Sequence, residues 1–320
     1  MSHWQPISLC TGFFNHQFRQ RTLEIWQILT LCLFAAQILN GQKLVLNGFV
    51  RDSSTGEPIP YATLEIPGKA LGSLSDINGA FTLFLEEVNQ NDTIIVQNPG
   101  FETAAIPVAR LRQRGMVLLR YKFVQLPEVV ITTGKRQSAI EKGITDVPRQ
   151  PPTYGMSTWM QVACFFENNR KDSGQIIGVG FYVPKTQKTK TPFRVRIYRC
   201  GADGNPSEDL LHNDIILQAA RGDEWVYTDI GKYGIRLPET GYFVAMEWIN
   251  AGEKYRYHEK IQDKRMEFYG QKLGAALGRE ASNTWIKFVG GTWKKDDKIL
   301  GGSNPGYRNA LIKSKIIVQP

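Results

Sequence analysis

The sequence predicts an all-β protein built from two consecutive β-sandwiches, the second larger than the first. Short alternating runs of β-branched and aromatic residues recur along the chain, and clusters of Gly, Pro, Asn and Asp separate them. The length of 320 residues allows two domains, each with its own core. The 30 Gly and 16 Pro fit a turn-rich globular protein and argue against a low-complexity chain.

A targeting segment precedes the predicted fold. Arg19 and Arg21 stand before the apolar run of residues 25–38. A basic segment, a short apolar segment and a small residue at the break are typical of a secretory signal peptide. Residues 1–41 are therefore expected to be a signal peptide with a long lead-in, cleaved after Gly41. An uncleaved membrane anchor is the alternative, although a spanning helix needs roughly 20 apolar residues.

Charge and cysteine content narrow the function classes. The net charge of +9 falls only to +8 without the leader, which loses two Arg and one Glu. A basic surface suits an anionic polysaccharide, an anionic surface or nucleic acid, and export disfavours nucleic acid as a partner. After cleavage Cys164 and Cys200 remain, which leaves open one disulfide or two buried thiols. Only His212 and His258 remain as histidines, so neither a metal site nor a cofactor is expected.

Residues 42–126 contain five strand-like segments: KLVLNGFV, IPYATLEI, GAFTLFL, DTIIVQ and MVLLRYKF. Alternation divides the second segment between two faces. The core face is expected to carry Ala62, Leu64 and Ile66, and the outward face Tyr61, Thr63 and Glu65.

Several motifs follow one another in this region. They are Gly48-Phe49-Val50-Arg51-Asp52, Thr55-Gly56-Glu57-Pro58, Ser75-Asp76-Ile77-Asn78-Gly79, Asp92-Thr93-Ile94 and Pro99-Gly100-Phe101-Glu102. Together they resemble the carboxypeptidase regulatory-like domain. The resemblance implies a transthyretin-like sandwich of a kind common in exported proteins of Gram-negative envelopes. Gly56 and Gly79 suit turns that need a positive φ, and 76–79 lacks the further ligands of a calcium loop.

The segment Leu126–Thr132 resembles the link between such domains and the plug of TonB-dependent outer-membrane transporters. A barrel of about 22 strands follows in those proteins, and the remaining chain is too short for one. The resemblance therefore implies a shared module and not transport. Residues 127–154 are predicted to be a connecting segment and linker, polar and ending in prolines.

Residues 155–320 are predicted to form a jelly-roll-like sandwich, which is similar to galactose-binding-like domains in the order of its segments. In 193–200, Phe193, Val195 and Ile197 alternate with Arg194, Arg196 and Tyr198. The segment 242–249 is apolar on both faces, which indicates a central strand. The charged stretch 253–279 is interpreted as a long loop with room for a short helix.

No catalytic residues are expected. Neither His212 nor His258 belongs to a His-x-x-Glu or His-Glu-x-x-His pattern, and no Gly-x-Ser-x-Gly elbow occurs. Cys164 with a histidine stays open as a nucleophile, although its apolar neighbours indicate burial. The strand acids Glu224, Asp229 and Glu247 leave open a pair of glycosidase carboxylates.

Aromatic and basic residues supply the candidate binding site. Of the five tryptophans after the leader, Trp159, Trp225 and Trp248 lie within strand-like runs and are expected in the core. Trp285 and Trp293 are expected at the surface, where with Lys294 and Lys295 they form the candidate ligand-binding group.

These patterns predict an exported, non-catalytic cell-envelope protein that binds an envelope glycan or a protein partner. Its location is expected to be periplasmic, outer-membrane-associated or extracellular. The alternatives are a carboxylate-dependent hydrolase in the second domain and a purely structural or assembly module.

Overall fold

The computed structural model describes residues 44–123, 139–155, 159–261, 263–279, 281–300 and 305–318. Val45–Phe84 and Asn89–Pro320 make one compact unit, whereas Leu44 and Leu85–Val88 fall in another. The expected signal peptide and the segment Leu126–Thr132 lie outside the described residues.

The described residues 44–123, here called the N-terminal β region, hold seven strands and one short helix. In chain order these are β1 (Leu44–Asp52), β2 (Thr63–Ile66), β3 (Leu71–Leu74), β4 (Ala80–Leu85), β5 (Thr93–Gln97), β6 (Ala104–Pro107), α1 (Val108–Arg114) and β7 (Met116–Leu119). One sheet has the order β4-β1-β7, with β1 and β7 parallel, and the other has the order β3-β2-β5-β6. Ala62, Leu64 and Ile66 are buried as predicted.

The predicted turn at residues 76–79 is confirmed by its hydrogen bonds. Asp76 Oδ1 accepts from the backbone N–H groups of Asn78 and Ala80 at 2.8 and 2.9 Å. Gly79 has a φ of 73°, and a Cβ there would lie 2.5 Å from the carbonyl oxygen of Val50. Only glycine fits this turn, because both the dihedral angle and the close backbone approach exclude a side chain.

Helix α1 was not predicted from the sequence. It buries only Val108 and Leu111, and it ends at Gly115, which adopts a φ of 59° and donates its N–H to the carbonyl of Leu111. A helix of two turns carries too little apolar periodicity to stand out among strands.

The described residues from 139 to 318, here called the C-terminal β region, hold seventeen strands. They are β8 (Ala139–Gly143), β9 (Thr153–Tyr154), β10 (Met160–Phe166), β11 (Gly174–Val183), β12 (Phe193–Cys200), β13 (Pro206–Asp209), β14 (Ile216–Leu217), β15 (Glu224–Asp229), β16 (Tyr242–Trp248), β17 (Arg256–Ile261), β18 (Lys264–Tyr269), β19 (Leu273–Gly278), β20 (Thr284–Phe288), β21 (Lys294–Lys295), β22 (Ile299–Leu300), β23 (Gly306–Ala310) and β24 (Ile312–Val318). Two 3-10 turns, Gly231–Tyr233 and Glu253–Tyr255, complete it.

Two sheets enclose the main core of this region. A seven-stranded sheet has the order β13-β12-β16-β10-β20-β21, with β14 also paired to β12, and a four-stranded sheet has the order β15-β11-β24-β8. A further sheet has the order β22-β23-β19-β9, and β17 pairs with β18. The core holds alternate residues of β10, β11, β12, β16 and β24. The predicted all-β sandwich class is confirmed, and β16 is central as predicted.

The stretch 253–279 is not the expected long loop. After the turn Glu253–Tyr255 it forms the hairpin β17–β18 and then β19. In this hairpin Tyr257 pairs with Phe268, and both are buried although the charged residues Arg256 and Glu267 stand next to them in sequence. The predicted linker contributes β8, which pairs with β24. The predicted division at 127–154 stays a prediction.

The two β regions are in direct contact. Tyr61, predicted to face outward, is buried with Leu74 in an apolar cluster that includes Ile249. Gly290, at a φ of 75°, leaves no space for a Cβ, which would lie 2.2 Å from the carbonyl oxygen of Leu71. Lys287 Nζ lies 3.2 Å from a carboxylate oxygen of Glu65. The face of β2 that was expected to point outward therefore packs against the C-terminal β region.

Candidate functional site

The predicted ligand-binding residues do not share one surface. Trp285 lies on β20, Trp293 lies in the connection that follows, and Lys294 and Lys295 form β21. The lysines are exposed and Trp293 is half-buried, but Trp285 is only 9% exposed.

Trp285 packs in an aromatic cluster on the outer face of the seven-stranded sheet, the face opposite the main core. Its ring meets that of Phe243 edge-on at a centroid distance of 5.0 Å. Its Nε1 donates to Asn205 Oδ1 at 3.0 Å, and Lys295 Nζ lies 5.2 Å from the ring centroid. The expectation that Trp285 is a surface residue is wrong, because the loop at Asn205 and strand β21 cover the ring.

Trp293 lines a cleft of about 430 Å³ beside this cluster. One wall belongs to the N-terminal β region and consists of β2 and the turn 98–101. The other wall is the outer face of the seven-stranded sheet together with β13 and His212. Ligand sites commonly have volumes of about 300–1,000 Å³ and lie where domains meet. The cleft is therefore the principal candidate site of the described chain.

The turn 98–101 belongs to the motifs quoted above and gives the cleft one edge. Asn98 Nδ2 donates to the carbonyl of Pro60 at 2.9 Å, and the N–H of Phe101 donates to the carbonyl of Asn98 at 3.1 Å. Gly100 has a φ of 84°, and a Cβ there would lie 3.0 Å from the carbonyl oxygen of His212. The sequence indicated a turn here, but it gave no sign that Gly100 brings this turn against the C-terminal β region.

A buried charge network reaches the cleft through Arg196 and Asp209, which are part of the cleft lining. Arg194 is fully buried and pairs with Asp214 at 2.6 Å and with Glu247 at 3.3 Å. Arg196 pairs with Asp209 at 2.7 Å and with the same Glu247 oxygen at 3.4 Å. Charges removed from water in this way are stable only while each is paired.

Burial and pairing act in opposite directions on the two acids that meet Arg196. Burial acts to raise the pKa of Glu247, but the guanidiniums of Arg196 and Arg194 outweigh it and lower that pKa below its ordinary value. For Asp209, burial outweighs Arg196, so its pKa is raised. Glu247 is therefore held as the ionised centre of the network.

The carboxylates that line the cleft are engaged by neighbouring cations. Glu65 pairs with Lys287, Glu208 with Arg199, and Asp209 with Arg196. Lys122, by contrast, is exposed at the cleft and has no ion-pair partner among the described residues. The charged group left available to a ligand is therefore a cation.

The acids proposed for a hydrolase lie apart. Glu224 and Asp229 are the first and last residues of β15, hence about 16 Å apart along the strand. Glycosidase carboxylates lie about 5–9.5 Å apart. Glu247 lies on β16 in another sheet and is paired with two arginines. This trio therefore provides no catalytic pair.

Both described cysteines are free thiols. Cys164 is buried in the main core, and burial raises its pKa to about 12. Cys200 lies at the end of β12, and burial also raises its pKa. Since the thiolate is the nucleophile, Cys164 is poorly suited to that role.

Neither a metal-binding cluster nor a membrane helix is found in the described part of the chain. No three His, Cys, Asp or Glu residues within it are grouped to hold a metal ion. No helix there has the length and apolar character needed to cross a bilayer.

Comparison with known proteins concerns mainly the N-terminal β region. Residues 46–131 match the family described as CarboxypepD_reg-like domain. Over 90 residues, 28% of this chain, the sequence is 32% identical to the TonB-dependent receptor SusC of Bacteroides thetaiotaomicron, of which it covers 8%.

One solved structure, a clostridial cysteine protease, Cwp84, after propeptide cleavage, aligns with 86% of this chain and 65% of its own at 12% identity. The TM-score is 0.37, which supports no inference about this chain. The chain thus covers less than two thirds of either relative. The match at residues 46–131 coincides with the motifs first noted in the sequence, and this part of the chain is similar to the CarboxypepD_reg-like domain family.

Proposed function

We propose that the protein is an exported, non-catalytic cell-envelope protein that binds an acidic glycan in the cleft. The observation that carries this proposal is the preformed cleft of about 430 Å³, in which the lining acids are already paired and Lys122 has no ion-pair partner within the described part of the chain. A uronate carboxylate entering it meets a cation without displacing an internal ion pair.

The walls offer the other contacts that sugars use. Trp293 is half-buried and packs edge-on against Tyr198 at a centroid distance of 5.6 Å, so its orientation is fixed. An aromatic ring held in this way can stack on the apolar face of a pyranose. Gln161 and Ser207 also line the cleft and bring groups able to hydrogen-bond sugar hydroxyls.

The envelope location is supported by the family match at residues 46–131 and by the chain's similarity, over 90 residues, to a receptor whose name places it with TonB-dependent proteins. The basic net charge agrees with an anionic envelope polymer. A location in the periplasm, at the outer membrane or outside the cell suits this function. Nucleic acid is not the proposed ligand.

Binding of the full chain to immobilised glucuronate and galacturonate oligosaccharides, with their neutral counterparts alongside, tests the proposal. We expect binding to the acidic sugars, weakened about tenfold or more by Trp293→Ala and by Lys122→Gln. Lys294→Gln, on the exposed strand β21, is the matched control for loss of one positive charge. Unchanged binding in both cleft variants, or capture of a protein and no glycan, overturns the proposal.

A further inference from the structure

A second depression lies on the other side of the C-terminal β region. It is a trough of about 270 Å³ on the outer face of the four-stranded sheet. Because side chains alternate in direction along a strand, the pairing places six residues on this face. They are Gly178 and Gly180 on β11, Tyr227 and Asp229 on β15, and Lys313 and Lys315 on β24.

The ring of Tyr227 forms one wall of the trough, and Trp225 stands beside it and supports it. Tyr227 is 53% exposed, and its ring lies nearly parallel to that of Trp225, with centroids 6.0 Å apart. Trp225 is half-buried and is supported edge-on by Tyr182 at 5.7 Å. Trp225 was expected in the core, but it projects from the outer face. Aromatic rings exposed in a row on a sheet suit the stacking of flat apolar surfaces.

Glycine forms the floor. A Cβ at Gly180 would lie 2.5 Å from Cε1 of Tyr227, so the ring lies across β11 only because no side chain stands there. At Gly178 the nearest atom to such a Cβ is Cβ of Lys315, at 3.4 Å, which leaves the floor open. Glycine weakens a strand interior. The Tyr227 ring accounts for Gly180, whereas Gly178 marks the part of the floor that a ligand can approach closely.

Lys313 holds the wall in place. Its Nζ lies 2.8 Å from Glu141 Oε1, donates to the Tyr227 hydroxyl at 3.2 Å, and lies 4.4 Å from the centroid of Trp225. Lys313 is itself only 8% exposed. A buried cation that contacts both rings orients them before any ligand arrives, and this reduces the entropy lost on binding.

The charges around the trough cancel. Glu141 and Asp229 carry two negative charges, and Lys313 and Lys315 carry two positive charges. An ionic ligand therefore gains no net attraction, whereas Lys315 and Asp229, at opposite edges, offer a donor and an acceptor to hydroxyl groups. From the ring pair, the glycine floor and this balance we infer that the trough binds an internal segment of a neutral polysaccharide, with one pyranose stacked on Tyr227.

Affinity electrophoresis of the full chain in gels containing laminarin, dextran, xyloglucan or galactomannan, with alginate as the acidic probe, tests this inference. We expect retardation by at least one neutral polymer. Tyr227→Ala should weaken it about tenfold or more, since a central aromatic contact is lost. Tyr227→Phe should retain most of the binding because the ring is kept. Gly180→Ala should weaken binding by displacing the ring.

Controls distinguish a loss of binding at the trough from a loss of folding and from a change at the cleft. Phe84→Ala removes an aromatic side chain that is 65% exposed in the N-terminal β region and should leave retardation unchanged. Thermal unfolding of each variant identifies any that fails to fold. Retardation by alginate alone, by none of the polymers, or equally in wild type and a folded Tyr227→Ala overturns the inference. Trp293→Ala changes the cleft and leaves the trough intact. Loss of neutral-polymer binding in Tyr227→Ala and loss of acidic-glycan binding in Trp293→Ala can therefore be told apart.

Discussion

Arg194 Nη1 donates a hydrogen bond of 2.9 Å to the backbone carbonyl of Tyr61. Arg194 is a fully buried residue of β12, and Tyr61 stands shortly before β2. A backbone acceptor of the N-terminal β region is thus bound by a guanidinium whose other donors hold Asp214 and Glu247. The contact between the two β regions therefore depends on a charge that has no access to water.

Arg194→Met should destabilise the protein strongly. The substitution leaves Asp214 and the Tyr61 carbonyl without their donor, and breaking a buried ion pair from one side costs about 3–5 kcal/mol. Urea unfolding followed by circular dichroism measures the loss. Arg199→Met is the matched control, because that arginine pairs with Glu208 at the surface and should have little effect. Equal effects of the two substitutions contradict the role given to Arg194.

Gly290→Ala tests the close contact with β3. The new Cβ would lie 2.2 Å from the backbone oxygen of Leu71, so we expect a loss of about 3 kcal/mol from strain and displacement. Gly56→Ala has nearly the same φ, 73°, with no atom within 4 Å of the Cβ. It should lose only about 1 kcal/mol in the same unfolding experiment. If Gly290→Ala lowers the free energy of unfolding no more than Gly56→Ala does, the close contact with β3 is not required for stability.

Trp285→Ala should unfold the protein more readily than Trp293→Ala. Trp285 is 9% exposed and packs against Phe243, and removing such a ring costs about 3–5 kcal/mol. Trp293 is only half-buried, so its loss should affect ligand binding more than stability. Differential scanning calorimetry compares the two. A higher melting temperature for Trp285→Ala than for Trp293→Ala contradicts the packing described here.

Stability should fall in acid partly through Glu247. Its pKa is lower in the folded state than in the unfolded state, so its contribution is complete above the unfolded value and is lost as the pH falls through the folded one. The difference in unfolding free energy between wild type and Glu247→Gln should therefore shrink as the pH falls from about 5 toward 3. Glu208→Gln is the control for loss of a surface carboxylate. If the difference in unfolding free energy between wild type and Glu247→Gln does not change with pH, the lowered pKa of Glu247 is contradicted.

Strand alternation predicted which residues share a face, but not what covers that face. Phe193, Val195 and Ile197 lie in the main core as their spacing indicates. Arg194 and Arg196 lie on the other face and are nonetheless buried, because the N-terminal β region packs there. Contact between distant parts of the chain leaves no periodic signal in either part, so the cleft was not predicted.

The tryptophans show the same limit. Trp225 and Trp285 both lie in strands, yet the first projects from an outer face and the second is enclosed. Their exposure depends on what lies across from them: Gly180 leaves room beside Tyr227, whereas Phe243 and Asn205 close around Trp285. The family motifs, by contrast, were recognisable because each fixes a local turn whose geometry depends on neighbouring residues.

Strand β24 lies between β11 and β8 and is antiparallel to both. Ile316 pairs with Ile140 and with Ile176, residues more than a hundred positions earlier in the chain. Closing such long loops is slow, so we expect this sheet to be completed late in folding. During synthesis the N-terminal β region can assemble while 312–318 are still unmade, but the trough cannot.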